Sequence, residues 1–290
     1  MASVTEPAPV PPPAAQPRKT RWWLVAIVAA WAVGLTGAAL WSVRHDPPTV
    51  AEQRDIAGAL PALRQASGAV VAAADGPDRA VEIGPLRFDA ECALTPVRSG
   101  VEARQEITVR VRSDQAPGAL ESIARALPEE YAPALRHLDD NSRHVLRADA
   151  GDFVAVDATA ASDAPVFSLW ISTGCRPAAS GVDLAPAPRP ATTTPPAFAA
   201  ATKAVGATGP VTAVEVACPN GKTAGTVTAT GPALPGDLGR ALRDVVGGGL
   251  VVQAEPHGWA YRAGDVSVFV TAADGATRVS ATSGCRQGLR

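Results

Sequence analysis

The sequence predicts an α+β protein with one transmembrane helix near its N-terminus. Two tandem, internally duplicated modules follow, each an antiparallel sheet of about four strands with helices on one face. Three observations predict this. An uncharged apolar run, WWLVAIVAAWAVGLTGAALWSV, occupies residues 22–43. The pentapeptides STGCR (172–176) and TSGCR (282–286) nearly repeat, each closing a strand-like stretch. In both halves, stretches alternating with a period of two neighbour stretches whose apolar residues recur at i, i+3, i+4 and i+7. These are the marks of half-buried strands and of helices lying on a sheet.

The apolar run starts at Trp22 and ends at Val43. About 20 residues cross the hydrocarbon core of a bilayer at 1.5 Å per residue, so its expected partner is lipid. Trp22, Trp23 and Trp41 stand at its ends, where indole rings favour the headgroup level. Arg18, Lys19 and Arg21 precede it, whereas Arg44 and His45 follow with Asp46 beside them. This asymmetry leaves the N-terminus in the cytoplasm and sends residues 44–290 outside. The competing reading is a cleaved signal peptide, for which TGAA at 36–39 supplies small residues. The run exceeds the usual signal core of about 7–15 residues, which favours an uncleaved anchor. Residues 1–21, containing PVPPP, read as a disordered Pro-rich cytoplasmic tail too short to bury a core.

Beyond the anchor, module 1 is expected over 44–177, a Pro-rich, semi-extended linker over 178–195 and module 2 over 196–290. Each module opens on Pro-Ala, at Pro61 and Pro196, runs through small residues, and reaches AVEI (80–83) or AVEV (213–216). A cysteine follows, Cys92 or Cys218. Next comes a strand. EITVRVR (106–112) sets Ile107, Val109 and Val111 on one face. GTVTATG (225–231) sets Val227 and Ala229 inward. A helix opened by Pro-Gly follows in both, at Pro117 and Pro235. Leu120, Ile123, Ala124 and Leu127 form one apolar stripe, and Leu238, Ala241, Leu242 and Val245 the other. Asp114 is placed to cap the first helix, and the glycines at 247–249 stop the second. The motif AGD (150–152 and 263–265) then precedes the β-rich runs that end in Cys175 and Cys285. The inward face of the first of these, FVAVDA (153–158), stays ambiguous.

Four cysteines allow three pairings. Cys92–Cys175 with Cys218–Cys285 is the pairing consistent with a duplicated unit in an oxidising compartment. Free thiols or a four-cysteine metal site are the alternatives, and the absence of a close CxxC pair disfavours metal.

Formal net charge is −2, without a basic stripe interleaved with aromatics, so no nucleic-acid partner is expected. Residues 44–190 hold 15 basic and 21 acidic side chains, and residues 191–290 hold 8 and 6, so the halves attract weakly. No phosphate loop, GxSxG elbow or HExxH motif occurs. No catalytic residue, metal ligand or cofactor is assigned. In HLDDNSRH, His137 and His144 with two Asp have the residue types of a metal site, against the plainer reading of a polar loop. In HGWAYR, Trp259 and Tyr261 share one side of a strand with His257 in register, a candidate ligand surface if exposed, against the commoner reading of such residues as core. Trp170 reads as core.

The composition, the apolar anchor and the closing GCR pattern resemble those of uncharacterised actinobacterial single-pass envelope proteins with cysteine-paired ectodomains. The expectation is therefore a non-enzymatic extracytoplasmic binding or scaffold protein, its partner an envelope protein or a cell-wall polymer, with the linker letting both modules engage. The alternatives are an envelope hydrolase or metal-dependent enzyme with its site in module 1, and a transmembrane sensor.

Overall fold

Helix α1 (Trp22–His45) forms where the sequence predicts a membrane span, and its side chains from Trp22 to Trp41 are exposed. It belongs to one unit of the chain, Met1–Pro48, and the remainder to another, Thr49–Arg290. This computed structural model describes residues 22–45, 54–138, 140, 142–234 and 236–285. The tail over 1–21, Asp46, Pro235 and Arg286 lie outside the described residues, as do Asp139 and Asn141 of the His-rich segment.

In the larger unit, α2 (Ile56–Ala74) starts at Asp55, whose carboxylate accepts from Gly58 N at 2.9 Å. The helix thus begins before Pro61, not at it. It is also apolar enough to cross a membrane, but it is the buried helix of the first core. Strands β1 (Ala80–Ile83), β2 (Arg87–Thr95) and β3 (Arg98–Arg110) follow. Helix α3 (Ala116–Ala126) comes next, then β4 (Ala134–Leu138), β5 (Arg143–Asp149), β6 (Ala155–Ala161) and β7 (Val166–Ser172). They make one antiparallel sheet in the order β1-β3-β7-β6-β5-β4, with β2 also on β3. Helices α2 and α3 cover one face. There Leu63, Val70, Leu120 and Ile123 meet Ile107, Val109, Leu146, Leu169 and Ile171.

The second half runs β8 (Arg189–Pro190), α4 (Pro196–Val205), β9 (Thr212–Ala217), β10 (Thr223–Pro232) and α5 (Leu238–Val246). Strands β11 (Leu250–Glu255), β12 (Gly258–Ala263), β13 (Val266–Ala273) and β14 (Ala276–Ser283) complete it. The order is β11-β12-β13-β14-β10-β9-β8. Phe198, Leu238 and Leu242 of the two helices pack on Val227, Ala229, Val268, Val279 and Ala281. Val227 and Ala229 point inward as expected.

Each sheet holds seven strands rather than about four. Strand β2 is mostly exposed, so its pattern carries no apolar period. Strands β4 and β5 were hidden by the turn formers between them. Strand β8 lies in the expected linker and pairs Arg189 with Ala213. Its Pro190 is tolerated because β8 is an edge. The linker is not a free spacer either, since Ala179, Val182 and Leu184 pack against the first core. Two cap details also differ. Asp114 does not cap α3, whose first residue follows Gln115 with no side-chain cap, whereas Asp237 caps α5 through Gly239 N at 2.7 Å. In α5 it is Val246, not Val245, that is buried.

The two halves are not beads on a string. Strand β1 is an edge strand with unspent backbone donors, the usual liability of a sheet edge. Hydroxyls of the second sheet satisfy them: Val81 N donates to Ser267 Oγ at 3.1 Å and Ile83 N to Thr226 Oγ1 at 2.9 Å. Among the described residues the ion pairs Arg262–Asp75 at 3.1 Å and Arg278–Glu82 at 2.5 Å join them. Both pair an acid of the first half with an arginine of the second, the sense of the charge asymmetry in the sequence. Of the polar positions of GTVTATG, Thr226 thus faces a protein neighbour, whereas Thr230 is exposed.

Cys92–Cys175 and Cys218–Cys285 are bonded, closing 83 and 67 positions. Loops of that length are worth about 4–5 kcal/mol each in the chain-entropy account.

Candidate functional site

The candidate ligand surface at His257, Trp259 and Tyr261, which required exposure, does not form. His257 lies in the exposed turn between β11 and β12. Strand β12 is interior, and the face carrying Trp259 and Tyr261 turns toward α4 and α5. Tyr261 is 1% exposed. Burial pushes its hydroxyl up to about 12, and the Oη has no hydrogen-bond partner. Trp259 is half-buried beneath α5, close enough that a β-carbon at Gly239 would stand 3.1 Å from its ring. Helix packing claims both rings because the second half has few large apolar residues with which to fill its core.

His137 and His144 are strand residues, opposite one another on β4 and β5. Their Nδ1 atoms are 2.7 Å apart, so one ring donates to the other, and His144 Nε2 shares a hydrogen bond with Ser162 Oγ at 3.0 Å. Among the described residues no group of three or more His, Cys, Asp or Glu is arranged to hold a metal.

A residue whose role the sequence reading missed is the arginine of the first GCR. Arg176 is fully buried. Its Nε donates to Thr173 O at 2.7 Å, and Nη2 donates to Asp152 O at 2.6 Å and Phe153 O at 3.1 Å. The carbonyls of Asp152 and Phe153 belong to a turn in which Gly151, Asp152 and Phe153 have φ of +81°, +51° and +58°. Such a run is costly for non-glycine residues, and the guanidinium holds it in place. The turn also resolves the ambiguous parity of 153–158. Phe153 leaves the core, and Val154, Val156 and Ala158 enter it. The recurrence of the arginine was the available signal.

Two places on the larger unit offer polar groups to a ligand. The first is a cleft of about 190 Å³ at the junction, lined by Asp75, Gly76, Gly248, Gly249, Arg262 and Asp265. Arg262 is committed there: its Nη1 also reaches Arg79 O at 3.2 Å and Ser267 Oγ at 3.4 Å. The second is the face of the first sheet opposite α2 and α3. Trp170 stands on it, 42% exposed, and is not core. Strand alternation sends Phe167, Leu169 and Ile171 inward, and so Trp170 outward. Across the strands it lies between Glu106 on β3 and Asp157 on β6, with Arg147 opposite Asp157 on β5. Ser168 donates to Glu106 Oε1 at 2.5 Å, and Arg147 Nε pairs with Asp157 Oδ1 at 3.4 Å. The next row is Thr108, Ser168, Thr159 and Val145. Towards the second half the face is bounded by Arg110. Its Nη1 donates to Gln253 Oε1 at 2.7 Å, and its guanidinium lies over Phe269. Burial holds Arg110 below the ordinary arginine value.

No protein-family model and no curated protein matches the chain. Among solved structures it is similar to a crystal structure of a DUF4853 family protein from Actinomyces odontolyticus, at 15% sequence identity and a TM-score of 0.35, covering 61% of this chain and 95% of that one.

Proposed function

We propose that the protein is a membrane-anchored, extracytoplasmic binding or scaffold protein of the cell envelope. The anchor spans 22–43, the N-terminus is cytoplasmic, and residues 44–290 lie outside. The observation that carries this reading is the cysteine pairing, one bond in each half, behind an exposed apolar helix. Disulfides persist in oxidising compartments and are rare in the cytosol. The two halves are copies of one module, kin to actinobacterial single-pass envelope proteins. In support, helix, strand, strand, helix and four strands recur once β2 and β8, each without a counterpart, are set aside, with equivalent sheet orders, β1-β3-β7-β6-β5-β4 and β9-β10-β14-β13-β12-β11. The protein acts by binding rather than catalysis. The two clusters that could suggest chemistry are engaged otherwise, the histidines with each other and Arg262 with Asp75.

The test is protease treatment of intact spheroplasts carrying the full chain, with thiol counting on the membrane fraction. The expected result is cleavage from outside, retention of the protein through carbonate washing, and no titratable thiol before reduction. Protection from the protease, or four reactive thiols, would overturn the reading.

A further inference from the structure

We infer that the uncovered face of the first sheet is a saccharide-binding site centred on Trp170, and that its ligand is a neutral pyranose chain, the glycan strand of a cell wall. This deepens the binding reading above and rests on it.

The argument starts from the row Glu106–Trp170–Asp157. A pyranose has an apolar face of C–H groups and a rim of hydroxyls. A flat indole buries the first while remaining compatible with water around it. Hydroxyl protons then need acceptors at the edge of the ring. Neighbouring strands lie about 4.8 Å apart, so carboxylates one strand to each side of Trp170 flank a bound hexose. Both are held in place, Glu106 by Ser168 and Asp157 by Arg147. Carboxylate acceptors make stronger hydrogen bonds than neutral ones. The hydroxyls of Thr108, Ser168 and Thr159 continue the polar floor into the next row.

The same residues argue against other occupants. An anionic ligand would meet two carboxylates beside the aromatic ring. A protein partner would need an apolar centre within roughly 800 Å² of contact on this side. Among the described residues Trp170 is the one large apolar side chain exposed in the middle of the face, and Leu138 lies at its margin.

The experiment uses the full chain in detergent micelles. Two probes are used, a hexamer of β-1,4-linked N-acetylglucosamine followed by calorimetry, and insoluble peptidoglycan followed by co-sedimentation. The wild-type protein is expected to bind both. Trp170→Ala should weaken binding about tenfold or more, the loss of one stacking contact together with the orientation it provides. Glu106→Gln and Asp157→Asn should each weaken it severalfold, and Trp170→Phe should stay within about threefold of wild type. Because Trp170 is exposed, its variants should keep the wild-type unfolding midpoint, which separates lost binding from lost fold. Binding undiminished in folded Trp170→Ala would overturn the site while leaving an envelope binding protein intact. Failure of the folded wild type to bind either probe would overturn the saccharide assignment, as would a protein partner captured through Trp170. Neither result bears on membrane location or thiol state, by which the broader reading is judged.

Discussion

Ser280 donates its hydroxyl proton to the Glu82 carboxylate across 2.7 Å, although 198 positions separate them in the chain. The bond ties the edge strand of the first sheet to the polar face of the second. Arg278 reaches the same carboxylate oxygen at 2.5 Å. A strand short of neighbours and a sheet face too polar for a core thus solve each other's problem.

Replacing Glu82 with Ala leaves Ser280 buried without this acceptor and Arg278 without its partner. Arg278 is half-exposed and regains water, so the expected loss is about 1–3 kcal/mol. Ser280→Ala should cost about 1 kcal/mol. Urea unfolding midpoints measure both. A double variant costing less than the sum of the two would demonstrate the coupling.

Gly68 in α2 lies against β9. A β-carbon there would stand within van der Waals overlap of the Ala217 carbonyl. Gly68→Ala therefore has to separate the helix from the second half, and a loss above 3 kcal/mol is expected. Gly118 is the control: it is exposed in α3 with nothing within 4 Å of an added β-carbon. Gly118→Ala should stabilise by about 0.5–1 kcal/mol. Thermal denaturation of the two variants reads the contrast.

Arg176→Ala would strip donors from the carbonyls of Thr173, Asp152 and Phe153 and leave three consecutive residues in the left-handed region unsupported. The expected cost is about 2–4 kcal/mol. Arg176→Lys should recover only part of it, because an ammonium cannot reproduce the fork. Amide exchange should quicken at Val154, whose N–H closes the turn onto Gly151 O at 2.9 Å.

Tyr261 makes stability fall in alkali. The unfolded phenol ionises near pH 10 and the folded one only near 12. The folded state then holds the proton that the unfolded state releases, so stability is intact below pH 10 and declines between 10 and 12, by about 3 kcal/mol at most. Tyr131, also raised by burial, acts in the same sense. Tyr261→Phe should remove its own share of the decline. At neutral pH it should be neutral or stabilising, since it deletes a buried hydroxyl with no partner. Unfolding midpoints at pH 8 and pH 11 supply the comparison.

Much of the architecture was legible in the residues because it depends on neighbours in sequence. The alternation in 106–112 and the stripe Leu120–Ile123–Leu127 report their own burial, whatever they pack against. The near-identical pentapeptides pointed to the cysteine pairing. Strands β4 and β5 were lost because a turn-rich hairpin tip dominates a short segment. The sequence places Trp170 in the core and leaves Trp259 open between core and surface, since an aromatic at an alternating position suits both equally.

The sequence alone determined the apolar span and the mixed helix-and-sheet character, and its repeat favoured the pairing of Cys92 with Cys175 and Cys218 with Cys285 that the structure then showed. These follow from length, periodicity and repetition. Only the tertiary structure decided that the halves join through Thr226, Ser267 and Ser280, that Tyr261 is buried, and that Trp170 stands on an uncovered face. A side chain's periodicity states which face of its own element it occupies. What covers that face depends on segments up to some 200 positions away, brought near only when the chain has folded.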